Sequence, residues 1–207
     1  MGNIDLIEEK YTKEEVIINI IRANIFGIIV LFIALIIFGI PFFLFWHESI
    51  LNINTNISMN IYNKLLLLLK NIIFMILILL PGIILHELIH GMFFAVFSEN
   101  KFKSVKFGIA PAKKLFSPYC HCREVLNIKH YQISIIMPLI ILGIIPVIIS
   151  IFNGIILLFF WGIIFIAAGC GDILIFIKTL KEKKDSLILD HQSEAGYYVY
   201  KLRQVKN

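Results

Sequence analysis

The chain has 207 residues, 59% of them hydrophobic types and 16% charged, with a formal net charge of +5. A soluble domain carries about 25% charged residues, so the composition argues against a water-soluble enzyme and for one membrane-embedded unit over residues 1–207. Nucleic acid is not an expected partner, because the Lys and Arg residues fall between long apolar blocks, where the positive-inside bias places them.

The chain opens with MGNIDLIEEKYTKEE, which is polar and acidic and has no cationic start leading into a short apolar core. No cleaved signal peptide is expected from it. Residues 12–24 read as a helix or a segment lying on the membrane surface. A bilayer-crossing helix needs about 20 mostly apolar residues, and residues 25–46 supply the first such run, without a charge and with Trp46 at its interfacial end. The second span is predicted over residues 72–97, with Lys70 and Asn71 marking its edge. A basic segment with Lys101, Lys103, Lys106, Lys113, Lys114, Arg123 and Lys129 follows. Within it, KFKSVKFGIA interleaves Phe102, Val105, Phe107 and Ile109 with polar residues, which suggests a short strand or hairpin. The third and fourth spans are predicted over 133–151 and 155–177, joined through Phe152, Asn153 and Gly154 as a tight helical hairpin.

The loop between the first two spans has no Lys or Arg before Lys64, whereas the N-terminal segment, the central loop and the tail after Lys178 are basic. Four spans with both termini cytoplasmic put every basic cluster on the inner side. The expected fold is therefore an all-α integral membrane protein of the cell membrane, with about four transmembrane helices and a basic cytoplasmic loop holding a short β-hairpin.

The second span contains HELIH at residues 86–90. His86 and His90 lie four residues apart, on one face of a helix, and Glu87 sits between them. An ionisable group at mid-bilayer costs about 2.5–3.5 kcal/mol, so three within five residues require something that offsets the cost. HExxH does so as a zinc site, with two imidazoles on the ion and the glutamate as proton acceptor. A catalytic zinc keeps three protein ligands and an open fourth position. Asp172, the only charged residue inside the fourth span, is the candidate third ligand. At 1.5 Å per residue, His90 lies roughly 10 Å from the end of its span and Asp172 roughly 9 Å from the end of its own, at similar depth. Gly169 and Gly171 suggest close helix approach there, and Pro81-Gly82, one turn before His86, a kink that opens room for water. Other metal candidates are weaker. Cys120, His121 and Cys122 with His130 match no strong zinc spacing, and three cysteines do not make a disulfide framework. Cys170 reads as a packing residue and His47 as interfacial, while nothing in the sequence places the tail residue His191 at the cytoplasmic mouth.

HELIH in one span and Gly171-Asp172 in a later one resemble the intramembrane metalloproteases of the site-2 type. More closely, HELIHG, the basic central loop, Pro138, GCGDIL and a closing segment with Asp190 and Gly196 resemble a bacterial family of integral membrane proteins described as putative zincin peptidases. The resemblance implies His86, His90 and Asp172 as ligands of Zn2+ and Glu87 as the catalytic acid/base. Site-2 enzymes usually carry Gly after the aspartate and Asn before the proline; this chain has Ile173 and Met137.

The expected activity is zinc-dependent endopeptidase cleavage of membrane or membrane-proximal peptides, in contact with membrane lipid. The strand-like residues 102–109 are expected to offer an edge to an unwound substrate. Two other classes fit the same residues: a non-catalytic membrane scaffold or regulator retaining the metal, and a metal or proton transporter using His86, Glu87, His90 and Asp172 as a relay.

Overall fold

A computed structural model describes residues 10–55, 60–109, 118–192 and 194–203. The chain begins with strand β1 (Tyr11–Ile17) and enters helix α1 (Ile20–Thr55) through Asn19, whose side chain accepts from the N–H groups of Ile21 and Arg22 at 3.0 and 3.2 Å. That is an N-cap, satisfying donors that the first helical turn leaves without partners. Helix α2 (Ile61–Phe97) follows, then a 3₁₀ turn (Lys101–Ser104) and a two-stranded ribbon of β2 (Val105–Ile109) and β3 (Pro118–Cys122). Strand β4 (Leu126–Asn127) leads into α3 (Ile128–Pro138), where the Asn127 side chain caps the Lys129 N–H at 3.0 Å. A π-helical segment (Leu139–Ile144) joins α3 to α4 (Ile145–Asn153), and α5 (Ile156–Ala168) and α6 (Cys170–Thr179) complete the helices. Strands β5 (Leu187–Asp190) and β6 (Gly196–Leu202) close the described chain.

Three stretches, Ile20–Ser49, Ile61–Phe97 and Ile128–Asn153, are long and apolar enough to cross a membrane. A fourth is present if α5 and α6, bent by 49° at their junction, count as one. The hydropathy reading thus found four apolar regions, with corrections at their edges. The second helix starts at Ile61, because Lys70 and Asn71 sit exposed on a continuous helix instead of ending it. The third starts at its Asn127 cap. The fourth is broken at Gly169. The tight turn between the third and fourth is present: Gly154 adopts φ 70°, a left-handed conformation that ends α4 with its N–H on Ser150 O.

The π segment has a local cause. Pro146 offers no N–H, and its ring crowds the carbonyl four residues back. Widening the preceding turn relieves the crowding, and Ile145 N–H reaches Ile140 O five residues back. This third stretch is the centre of the helical layer, 44% buried against 11% for each of the first two. It crosses α5 where glycines meet, since a Cβ on Gly162 would fall 2.7 Å from Gly143 O and 2.4 Å from Val147. The close small-residue crossing therefore lies at Gly143 and Gly162. Nothing lies within 4 Å of a Cβ placed on Gly171, so the expectation for that glycine is corrected.

The all-α expectation is also corrected. The ribbon suggested by KFKSVKFGIA is present, but so is a four-stranded antiparallel sheet in the order β1-β6-β5-β4. Tyr11–Ile17, expected to be helical or surface-lying, pairs with Leu202–Gly196 across the length of the chain. Gly196 is required by this pairing, for a Cβ there would meet the Val16 carbonyl. The sheet has its own core of Ile188, Tyr197, Val199, Tyr131 and Leu126. The strands all flank the same ends of the helices, since β1 precedes α1, β2–β4 link α2 to α3, and β5 and β6 follow α6. At the opposite end Trp46 Nε1 donates to Ile151 O at 2.8 Å, beside the Gly154 turn.

Candidate metal centre

His86 and His90 project from one face of α2, and the bend at Gly169 brings the first turn of α6 against them. Asp172 lies in that turn, where a carboxylate also complements the helix N-terminus. His86 Nε2 is 3.0 Å from Asp172 Oδ2, His90 Nε2 is 3.5 Å from Asp172 Oδ1, and the two Nε2 atoms are 3.2 Å apart. Among the described residues these three form the one group of His, Cys, Asp or Glu able to hold a metal ion.

The donor set fits zinc. A tetrahedral ion with bonds of about 2.0–2.1 Å holds its ligand atoms roughly 3.3 Å apart, close to the 3.2 Å between the two imidazole nitrogens, and each carboxylate oxygen of Asp172 reaches one of those nitrogens. The ring orientation is fixed from behind. His90 Nδ1 is 2.9 Å from Ser134 O in a buried contact. A carbonyl only accepts, so Nδ1 carries the proton and Nε2 presents its lone pair to the site. Ser134 O is free for this because residue 138, whose N–H would ordinarily take it, is proline. Leu139 N–H does not substitute, since it goes to Ile136 O.

Glu87 is half-buried, close enough to both imidazoles and Asp172 for their charges to act on it, and it accepts a hydrogen bond from the Cys120 backbone N–H. The ribbon lies directly over this stretch of α2: a Cβ on Gly91 would fall 2.3 Å from the Phe107 ring and 3.2 Å from Cys120 Sγ. Asp190 on β5 holds the ribbon in place, accepting from Tyr131 Oη at 2.9 Å, His121 Nδ1 at 3.1 Å and Cys122 N–H at 3.3 Å. Gly82 itself leaves no room for water. The space against Gly82 is filled by the Trp161 and Phe165 rings, 2.5–2.6 Å from a Cβ placed there.

The other metal candidates lie elsewhere. Side chains alternate along a strand, so His121 faces away from Cys120 and Cys122 and the three do not converge. Burial pushes the Cys120 thiol well up, reinforced by the charges of Glu87 and Asp190, and burial raises Cys122 too. His130 stacks on Phe97, His47 faces Leu44 O, and His191 sits between Glu15 and Tyr198 in the sheet, away from the candidate ligands. Sequence reasoning missed the Ser134 carbonyl, the Cys120 N–H and the His121–Asp190–Tyr131 cluster. Only the first left a signal, a proline four residues further on.

The model of the family described as "Putative zincin peptidase" matches residues 77–187, more than half of the chain and the whole of this site. The chain belongs to that family. Zincin is a zinc-peptidase description, and the family's matched region runs from one turn before Pro81 to the start of β5, taking in both histidines, Glu87 and Asp172. No curated protein and no solved structure matches the chain.

Proposed function

We propose that the chain is a membrane-embedded zinc endopeptidase of site-2-like design, acting on membrane or membrane-proximal peptides. His86, His90 and Asp172 hold the ion and Glu87 is the acid/base. The observation that carries the reading is the convergence of three ligand atoms from α2 and α6, all within 4.8 Å of one another, beside the glutamate of HELIH.

Zinc bound there supplies Lewis acidity, polarising a peptide carbonyl and acidifying water. Glu87 takes a proton on its carboxylate and later delivers it to the leaving amine. The Cys120 N–H steadies that carboxylate, and Ser134 O holds His90 in the ligating tautomer. The substrate is an extended peptide, since helical carbonyls are shielded by their own hydrogen bonds.

The ribbon offers it an edge. Cys120 and Cys122 direct their N–H groups outward, to Glu87 and Asp190, and Pro118 has none. Their partners Phe107, Val105 and Ile109 therefore occupy the non-hydrogen-bonded pairs, with backbone groups turned to the outer edge of β2. Phe107 and Ile109 leave a strand-addition edge beside the Gly91 turn of α2.

The N- and C-terminal strands lie in one sheet, which supports an even number of crossings. The basic clusters on that side support a cytoplasmic location for it.

Glu87→Gln tests the chemistry. The variant should keep wild-type zinc and lose cleavage of a membrane-anchored peptide by about 10²–10⁴-fold. Cleavage at the wild-type rate would remove Glu87 from its role; a normal scaffold function with no cleavage in either protein would favour the non-catalytic reading.

A further inference from the structure

The face of the ribbon turned away from α2 carries a second site. Lys106 and His121 are cross-strand partners there, and Gly108 and Tyr119 are the next pair on the same face. A side chain at position 108 would collide with the Tyr119 ring, at 2.6 Å, so the ring lies across the ribbon at the glycine. Together with Arg123 and Gln192 these residues line a cavity of about 300 Å³.

Its chemistry is cationic. Among the described residues neither Lys106 nor Arg123 is paired with a carboxylate. His121 is only 4% exposed, and its Nδ1 is held by Asp190, which leaves Nε2 for the cavity. The Asp190 charge is turned away, its two oxygens engaged by Tyr131, His121 and the Cys122 N–H. Two unpaired cations, a buried imidazole, an amide and a phenol hydroxyl make a receptor for a phosphate, which accepts several charge-assisted hydrogen bonds at once. The nearest source is the membrane. The ribbon starts eight residues after the last residue of α2, and Phe102 (66%) in the preceding 3₁₀ turn and Ile109 (69%) on β2 are exposed, apolar groups suited to the interface.

We propose that this cavity binds the phosphate of an anionic phospholipid headgroup, clamping the ribbon to the membrane surface across from the metal centre. The inference rests on the membrane placement proposed above, and not on peptide cleavage.

The test uses the full chain in detergent, with bound lipid counted by native mass spectrometry in competition between phosphatidylglycerol and phosphatidylcholine. Inorganic phosphate is added in a separate arm, and zinc is measured on every sample. Wild type should prefer phosphatidylglycerol, and Lys106→Gln with Arg123→Gln should lower that preference by about tenfold or more at unchanged zinc. Both residues are exposed, so neutralising them leaves the core intact. If inorganic phosphate displaces the lipid and itself depends on Lys106 and Arg123, the site is for free phosphate and the lipid assignment falls. Equal retention of both lipids by wild type, or an undiminished preference in the double variant, overturns the proposal outright. Because zinc is read independently, such a failure is distinct from failure of the peptidase reading.

Discussion

A proline at position 138 removes one N–H, and that removal reaches the candidate metal centre. Ser134 O, left without its helical donor, accepts from His90 and aims the opposite nitrogen at the site. Pro138→Ala restores a competing donor, so zinc affinity should fall by about 10–100-fold, the usual consequence of loosening a ligand's supporting hydrogen bond. Competition with a chelator measures it, and unchanged affinity would deny the proline this part. His86, Glu87 and His90 were legible in the sequence because helical spacing is local and three ionisable groups in an apolar run demand a reason. Asp172 was legible as the one charged residue of the fourth span, at a depth matching the histidines. The backbone groups that orient them were not, since every residue carries a carbonyl and an N–H and only the fold says which are spare. The buried thiols give a check at the same scale. With their ionisation pushed upward by burial, Cys120 and Cys122 should resist alkylation at pH 8 in the folded chain, as measured by mass spectrometry after brief iodoacetamide treatment.

Among the elements, the ribbon, the broken fourth helix and the sheet do separate work. The ribbon covers α2 at Gly91 and leaves the Phe107 N–H on an outer edge. Proline is tolerated where an N–H faces outward on an edge strand, so Phe107→Pro should retain zinc while cleavage of an extended substrate drops; cleavage at the wild-type rate would place the substrate elsewhere. The break at Gly169 turns Asp172 onto the histidines, a bend that hydropathy could not reveal because the residues on both sides are equally apolar. The Gly143–Gly162 crossing holds α5 against the central stretch. Gly162→Val should cost about 1–3 kcal/mol, the usual penalty for overpacking, seen as a lower unfolding midpoint in detergent, because a backbone carbonyl and Val147 occupy the space.

For the molecule as a whole, the sheet joins what the sequence keeps far apart. Tyr11–Ile17 read as a polar flank because its partner strand lies near the other end of the chain, and its own burial pattern is weak. Hydropathy found the apolar regions, but it carries no information on long-range strand pairing. What the sheet adds is a scaffold on one end of the helices, from which Asp190 fixes the ribbon above the candidate metal centre. The central claim is that α2 and α6 share one divalent ion. Zinc analysis of purified protein, wild type beside His86→Ala and Asp172→Ala, tests it most directly. The account predicts about one zinc per wild-type chain and severe loss in both variants, in keeping with a three-ligand site. Full zinc retention by Asp172→Ala, or a wild-type chain that binds none, would contradict it.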